Sequence, residues 1–384
     1  MYMRRLIKVI MLTHINKKIC HITSAHSRYD IRIYMKMCNT LSLHGCNVSL
    51  IVADGLADEI SDGIKIYGVE KKRRRIDRML IAPKLLYKKA LNLNAHIYHL
   101  HDPELFFIGL KLKRKGKKVI FDSHEDYPMQ ILSKPYFNGH IAKIISNVYK
   151  IVEKIVLVKF DVIITATPYI KEKISEWHHC VIDINNYPLL SEFHNNKYVL
   201  ENDYKKDTIC YIGGISLIRG IKEIIIAMEH CSYNIRLILA GEFSPLSLKN
   251  EIIKYEGWKK IDEMGFINRK KILEIFNQAF AGIITYMPLP NHINAQPNKL
   301  FEYMSAELPV IASNFPLWKE IIEKNQCGIC VDPCKPEEIA SAIEWLASNK
   351  EKAIEMGKNG RRAVLEKYNW DIEKKKLLSV YTTL

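Results

Sequence analysis

One stretch constrains this chain more than any other: Gln296-Pro297-Asn298-Lys299-Leu300-Phe301-Glu302-Tyr303-Met304-Ser305-Ala306-Glu307-Leu308-Pro309-Val310-Ile311-Ala312-Ser313. Its first half reads as a helix. Pro297 suits the first turn, where its missing N–H costs nothing, and Leu300, Phe301, Met304 and Ala306 form an apolar face. Leu308-Pro309 then breaks the helix, and Val310-Ile311-Ala312 is a short buried strand of the kind found in parallel sheets. Lys299 and Glu302 lie three apart and share one helical face near the N-terminus. A helix N-terminus beside a lysine attracts an anion, most often phosphate. A carboxylate one turn in can accept hydrogen bonds from a pair of sugar hydroxyls, and phosphate with ribose means a nucleotide. A surface ion pair on an ordinary crossover helix accounts for these two residues equally well.

The chain has 384 residues, too many for one ordinary core, which implies roughly two or three domains. Its 48% hydrophobic and 26% charged content is that of a soluble globular protein. No apolar run approaches the ~18 residues of a membrane-spanning helix. Arg4-Arg5 before Leu6-Ile7-Lys8-Val9-Ile10-Met11-Leu12 has the outline of a signal peptide. Lys8 interrupts it and no small-residue cleavage site follows, so it is not read as one; the first convincing strand begins near Lys18, which leaves room for an overlong start. Nine cysteines, scattered singly in apolar surroundings, read as reduced cytosolic thiols. Cys327, Cys330 and Cys334 approach metal spacing without a second ligand pair, so zinc is not expected.

The net charge of +15 is unevenly placed. Through residue 190 there are 31 Lys+Arg against 17 Asp+Glu, and the remainder has 26 against 25. The excess concentrates in Lys71-Lys72-Arg73-Arg74-Arg75 and in Lys111 to Lys118. Such patches suit an anionic membrane face, a pyrophosphate-bearing acceptor or nucleic acid, with a solvated surface as the plain alternative.

In the first half, strands are expected at Lys18–Ser24, Asn47–Ala53, His96–Leu100, Val119–Phe121 and Val162–Thr165, and helices at Ile31–Leu43, Asp77–Leu93 and Pro103–Lys115. This is a doubly wound α/β pattern, in which ligands sit beyond the carboxyl ends of the strands. Three polar clusters fall at such ends: His26-Ser27-Arg28-Tyr29-Asp30, His99-Leu100-His101-Asp102 and Asp122-Ser123-His124-Glu125-Asp126. Metal ligation, a catalytic base and hydrogen bonds to sugar hydroxyls all remain open for them.

Tyr187-Pro188 and the polar stretch Ser191 to Lys206 read as a linker. The α/β pattern restarts with the strand Thr208–Ile212, which runs into Gly213-Gly214-Ile215-Ser216-Leu217-Ile218-Arg219-Gly220 and a helix. Glycine lets backbone approach a ligand, and Arg219 supplies charge for a diphosphate; a plain strand–helix turn is the alternative. Leu237–Ala240 is a strand closed by Gly241-Glu242, and Ala281–Thr285 another, followed by the loop that carries Asn294. Two helix starts bearing Arg219 and Lys299 can converge on one pyrophosphate, each charge-assisted bond contributing about 1.5–3 kcal/mol. Pro336–Ser348, Lys350–Tyr368 and Trp370–Tyr381 read as helices, the last with apolar residues suited to packing on another surface.

These features resemble glycosyltransferase family 4, which has the GT-B architecture. The most specific part is Pro297-Asn298-Lys299-Leu300-Phe301-Glu302-Tyr303-Met304 with Leu308-Pro309-Val310-Ile311-Ala312; Tyr211-Ile212-Gly213-Gly214 with Arg219-Gly220 is moderately specific. Arg28-Tyr29-Asp30-Ile31-Arg32-Ile33 and His101-Asp102-Pro103-Glu104 are similar to a bacterial branch acting in cell-surface polysaccharide assembly. The resemblance implies an α/β fold of two Rossmann-like domains facing across a cleft: an acceptor-side domain over 1–190, a nucleotide-sugar domain over 191–366, and a C-terminal helix, 367–384, crossing back. It implies a retaining, metal-independent transferase with no cofactor. Glu302 would hold the donor's ribose, Arg219 and Lys299 its pyrophosphate, and His124 would face the reacting sugar. The donor-binding set is then Gly213, Gly214, Arg219, Glu242, Asn294, Asn298, Lys299, Leu300 and Glu302; the acceptor-side set is His26, Arg28, Asp30, His101 and Asp102.

Two positions depart from that pattern. Asn294 stands where the family often has a second glutamate, and a neutral amide cannot offer charge to a transition state. Gly214 stands where a basic residue is common. No DxD motif is present. The implied partners are a UDP- or GDP-linked sugar, a polyprenyl-diphosphate-linked saccharide and the anionic inner face of the cytoplasmic membrane, with no nucleic acid. A nucleotide-sugar epimerase of the same architecture and a basic nucleic-acid-binding protein are the competing readings. The first needs acid/base carboxylates at the sugar, and the second leaves Glu302 and the glycine turn without a purpose.

Overall fold

The computed structural model describes residues 17–71, 77, 81–133, 138–193, 207–232 and 234–384. The chain divides into two compact units, one running up to Asn186 and rejoined by Asp371–Leu384, the other Tyr187–Trp370. Most of the basic run at residues 71–75, and most of the linker stretch at residues 191–206, lies outside the described residues.

The first unit holds eight strands: β1 (Lys18–Thr23), β2 (Asn47–Val52), β3 (Glu59–Ser61), β4 (Ile64–Gly68), β5 (Ile97–Leu100), β6 (Lys118–Ser123), β7 (Val162–Thr165) and β8 (Val181–Asp183). They lie in the order β3-β4-β2-β1-β5-β6-β7-β8. All pairs are parallel except β3 with β4. The central strands are buried along nearly their whole length, because helices cover both faces of such a sheet. Cys20, Ile22, Tyr98, Leu100, Phe121 and Ile163 form one core cluster. The β3–β4 hairpin, β8 and the helix Gly139–Leu157 add to the elements expected from the sequence.

The second unit holds β9 (Thr208–Ile212), β10 (Arg236–Ala240), β11 (Ile261–Gly265), β12 (Ala281–Ile284), β13 (Val310–Ser313) and β14 (Gly328–Val331). Their order is β11-β10-β9-β12-β13-β14 and every pair is parallel. In each sheet the winding reverses once, at β1/β5 and at β9/β12, the place where sheets of this kind bind ligands beyond the carboxyl ends of their strands. The fold is therefore α/β with two Rossmann-like sheets.

Three local details differ from the sequence expectation. The helix beginning at Ile31 is π-helical over Ile31–Cys38 and α-helical only over Asn39–Leu43. Asp30 caps it, its Oδ1 accepting from the Arg32 and Ile33 N–H groups at 2.8 and 2.9 Å. Within that wider turn Arg32 and Lys36 are both buried, Arg32 bonding the Ile184 carbonyl at 2.8 Å and Lys36 the Asn186 side chain at 2.6 Å. Of the expected helix over Asp77–Leu93, Ala82–Leu93 is α-helical and residues 78–80 lie outside the described residues, and Pro103–Leu105 is a 3₁₀ turn leading into the helix Phe106–Arg114. The start of the expected linker is not a free tether. Tyr187 and Phe193 are buried in the second unit's core, and Glu192 pairs with Arg269.

The helix Trp370–Thr383 seats Leu377, Val380 and Tyr381 in the first unit. Glu373 accepts from the Asn185 N–H at 2.7 Å and Lys376 reaches Asp183 at 3.0 Å.

Candidate functional site

In the second unit, β9 ends at Ile212 and the chain turns through Gly213 and Gly214. Gly213 has φ 142°, and a β-carbon there would lie 2.5 Å from Lys299 Cε. A β-carbon on Gly214 would lie 2.7 Å from Arg219 Nη1. The two glycines thus let bare backbone run beneath both cations, which is why this turn has no side chains. Gly241, after β10, is tighter still: its β-carbon would meet the Gly213 carbonyl oxygen at 1.8 Å. The Gly213 N–H donates to Ala240 O at 2.8 Å and the Ile215 N–H to Glu242 O at 2.9 Å, fixing the turn against the end of β10.

Lys299 is the second residue of the helix Asn298–Ser305, whose N-cap position is Pro297. Leu300, Phe301, Tyr303 and Met304 bury that helix's inner face, each large apolar side chain contributing about 1.5–3 kcal/mol. This packing holds Lys299 and Glu302 outward. Lys299 Nζ lies 3.8 Å from Glu302 Oε2, too far for a strong bond. Burial pushes the Lys299 pKa down, Arg269 and Arg219 add to the effect, and Glu302 only partly opposes it. Lys299 is therefore a cation short of negative charge.

Glu302 is held by a residue that the sequence reading missed. Arg269 Nη1 donates to Glu302 Oε1 at 2.9 Å and Nη2 to Glu192 Oε2 at 2.5 Å. Burial opposes the Arg269 charge, but Glu302 and Glu192 outweigh it and raise its pKa. Glu302 Oε2 is buried without a hydrogen-bond partner among the described residues, as are Arg269 Nε, Thr285 Oγ1, Asn291 Oδ1 and Gln296 Oε1. Unpaired buried polar atoms are uncommon in folded proteins, and those on Arg269, Thr285, Asn291, Gln296 and Glu302 all fall in this unit.

Arg219 sits in the 3₁₀ turn Leu217–Arg219, directly before the helix Ile221–His230. Its Nη1 donates to Gly214 O at 3.1 Å and its guanidinium lies 5.7 Å from the Tyr286 ring centre. Of the other expected donor-side residues, Glu242 and Asn298 are exposed and Asn294 is half-buried. Leu300 is in the core, with its N–H already bonded to Pro297 O at 3.1 Å, so its side chain is structural.

In the first unit the loops after β1, β5 and β6 bring His26, His101, Asp102 and His124 together. Asp122, on β6, is the anchor. Arg32 clasps it through Nε at 2.9 Å and Nη2 at 2.7 Å. Burial opposes its charge, yet Arg32, then His124 and His101, hold its pKa well below the usual carboxylate range. Asp122 thus accepts only, and that fixes every proton around it. His124 Nε2–H and His101 Nδ1–H both point at Oδ2, at 2.9 and 3.2 Å. Burial, resisted by Asp122, lowers the His101 pKa to about 4, so the ring is neutral and Nε2 is bare. It accepts from His21 Nδ1 at 2.9 Å. His21 is neutral for the same reason, so its Nε2 takes the Tyr381 hydroxyl at 3.3 Å, and Tyr381 in turn accepts from His99 Nδ1 at 2.7 Å. The bare nitrogen at the end is His99 Nε2, which has no partner. A one-way hydrogen-bonded chain therefore runs from His99 on β5 through Tyr381, His21 and His101 to Asp122.

Sugar-facing roles divide accordingly. His124 and His26 are 13% and 27% exposed and can meet a solute. Arg28 is locked onto Asp54 and Glu59 at 2.7 Å each, Asp30 is a helix cap, and Asp102 is taken by Thr23, Ser24 and His26. Burial opposes the charge on His26, but Asp102, Asp30 and Asp122 together raise its pKa. His101 is fully buried. Of the residues expected on the acceptor side, Arg28, Asp30, His101 and Asp102 are thus engaged in holding the loops together. The ligand atoms of His101, Asp122 and His124 lie within 4.8 Å of one another, but the Arg32 charge on Asp122 opposes a second cation there.

Comparison with known proteins agrees with this architecture. The profile "Glycosyltransferase Family 4" matches residues 32–182 and "Glycosyl transferases group 1" matches residues 192–363, one in each unit. An uncharacterized glycosyltransferase of Methanocaldococcus jannaschii is 27% identical over 176 residues, 45% of this chain and 44% of its own length. The capsular polysaccharide biosynthesis glycosyltransferase CapM of Staphylococcus aureus is 26% identical over 197 residues, 49% of this chain and 50% of its own. The chain thus spans about half the length of these curated relatives. Among solved structures, sucrose-phosphate synthase of Thermosynechococcus elongatus superposes with TM-score 0.78 at 15% identity, covering 96% of this chain and 99% of its own. Anabaena HepE in complex with UDP-glucose superposes with TM-score 0.71 at 12% identity, covering 96% and 100%. With two Rossmann-like sheets, a glycine turn under two cations and these matches along most of its length, the chain belongs to glycosyltransferase family 4.

Proposed function

We propose that this protein transfers a sugar, with retention of anomeric configuration, from a nucleoside-diphosphate sugar to a lipid-linked saccharide in bacterial surface-polysaccharide synthesis. The observation that carries the reading is the pairing of an underneutralised Lys299 with a half-used Glu302 carboxylate, beside Arg219 and the glycine turn. The donor diphosphate takes the positive groups, and Glu302 Oε2 takes the ribose hydroxyls. As the bond from the anomeric carbon to the diphosphate breaks, the sugar gains oxocarbenium character, and Arg219, Lys299 and the helix N-terminus stabilise the leaving charge. The acceptor hydroxyl attacks from the leaving-group face and passes its proton to a phosphate oxygen, so no protein nucleophile and no divalent ion is required. His124, partly exposed at the end of β6, is the first unit's candidate for meeting the transferred sugar. Among described residues no helix is long and apolar enough to cross a membrane, and the acceptor is met at the inner membrane face. HepE, crystallised with UDP and with UDP-glucose, and CapM, named for capsule synthesis, support the donor class and the pathway.

The test is titration of UDP, GDP, ADP and CMP, with a short oligonucleotide, into wild type and Glu302→Ala. One diphosphate should bind selectively, and the substitution should weaken it at least about tenfold, the scale of one charge-assisted bond. Unchanged affinity removes the ribose role. An inverted anomer in the product removes retention, and isomerised donor without acceptor favours the epimerase. Oligonucleotide binding alone, falling steeply with salt, favours a nucleic-acid partner.

A further inference from the structure

The helix Gly139–Leu157 carries a feature that sugar transfer itself does not use. Ile141, Ile144, Val148, Ile151, Ile155 and, just past its end, Val158 recur at intervals of three and four. That spacing sets them on one side of the helix. All six face solvent, with Ile144, Ile151 and Ile155 60–63% exposed. The opposite side, with Ala142, Ser146, Val156 and Leu157, is buried, and Ser146 bonds Pro128 O at 2.9 Å. A continuous aliphatic ridge on a well-anchored helix is not random surface; such patches mark interaction sites.

The charges beside the ridge say what covers it. Lys143, Lys150 and Lys154 follow one another at seven and four residues and form a row along one flank, and Lys159 follows the end. The only acid in residues 139–159 is Glu153, which faces inward and whose burial raises its pKa to about 7. The adjacent helix Phe106–Arg114, touching this one through the Phe106 and Tyr149 rings at 6.2 Å, adds exposed Phe107 and the basic residues Lys111 and Arg114, while its Lys113 is paired with Asp161 at 2.7 Å. A second copy of this helix would bring lysine row against lysine row with no acid to pair. An anionic bilayer supplies both complements: acyl chains for the ridge, and phosphates for lysines that reach up past it.

We propose that the ridge of the Gly139–Leu157 helix is the surface by which this protein sits on anionic lipid, with the aliphatic side chains entering the headgroup–acyl boundary and the lysine row on the phosphates. The partner's lipid chemistry rests on the functional reading above; the surface itself does not. The test is flotation of the full chain with neutral phosphatidylcholine vesicles and with vesicles containing phosphatidylglycerol, at low and high salt, alongside a UDP and GDP titration. Wild type should bind the anionic vesicles at least tenfold more tightly, and less so in salt. Ile144→Ser/Ile151→Ser/Ile155→Ser should lose at least tenfold, and Lys143→Gln/Lys150→Gln/Lys154→Gln roughly 100-fold, as expected for three lysines near an anionic surface. All replaced residues lie outside the core, so circular dichroism and nucleotide titration should match wild type. Absent vesicle binding, equal binding to neutral vesicles, or binding unchanged in both variants overturns the proposal. So does a dimer that the isoleucine variant splits without any vesicle binding. Nucleotide binding without vesicle binding fails the surface alone, and vesicle binding without nucleotide binding fails the transferase reading alone.

Discussion

Arg269 Nη1 donates to Glu302 Oε1 at 2.9 Å, and the other oxygen of that carboxylate is buried and unpaired. One half of Glu302 is thus fixed so that the other can be offered in a single orientation. Arg269→Ala would leave Glu302 and Glu192 without the cation between them. Because all three groups are partly exposed, the stability loss should be about 1–2 kcal/mol rather than that of a fully buried pair. Nucleotide affinity should fall with it. Thermal denaturation and calorimetric titration of the same variant check both.

Lys299 predicts the pH dependence of donor binding. Burial, Arg269 and Arg219 lower its pKa, so its charge disappears earlier than an ordinary lysine's as pH rises. Diphosphate affinity should therefore decline on the alkaline side, and bound diphosphate should shift that decline upward by favouring the charged form. Lys299→Met should abolish the dependence and weaken binding by about 1.5–3 kcal/mol. Titrations across alkaline pH, wild type against variant, decide it.

Gly241→Ala should be severe, since its β-carbon would lie 1.8 Å from the Gly213 carbonyl oxygen, at φ 151°. Backbone must move, with a loss of about 2–3 kcal/mol and of diphosphate binding. Gly139→Ala, with no heavy atom of the described residues within 4 Å of the new carbon, should be neutral or slightly stabilising. Comparing the two by thermal denaturation separates crowding from a general intolerance of alanine.

The histidine chain predicts acid sensitivity of the first unit. His101 is lowered to about 4 by burial against the usual 6.5, so between these values the unfolded chain binds more protons than the folded one. Stability should rise with pH across that window, and be lost as pH falls through it, by on the order of 3 kcal/mol. Asp122→Asn should cost about 3–5 kcal/mol by leaving Arg32 buried without its counter-charge. Tyr381→Phe, which leaves the buried His99 Nδ1 and His21 Nε2 without the hydroxyl between them, should cost about 1–3 kcal/mol. Denaturant unfolding at several pH values measures all three.

The alternation of strands and helices was legible because parallel strands are continuous apolar runs and the helices between them keep their period. Lys299, Glu302 and the glycine turn were legible because cation, carboxylate and glycine recur at short spacings there. Arg269 was not, since it lies 33 residues from its partner Glu302 and only the packed sheet brings them together. The same holds for Arg32, 90 residues from Asp122. Arg28 and Asp102 misled for a related reason: a charged residue in a loop looks available until its partners are known. The β3–β4 hairpin and β8 escaped because strands of three to five residues carry too few apolar positions to establish a period.

Tyr381 belongs to the segment Asp371–Leu384, yet its hydroxyl bridges His99 on β5 and His21 on β1. In order of synthesis, the second unit is therefore an insertion: all of Tyr187–Trp370 is made before the first unit receives its last piece. During that interval His21 and His99 lack the hydroxyl that bridges them. The second unit is thus made whole before the histidine network can be finished, so removing Asp371–Leu384 should damage the part of the chain that was made first.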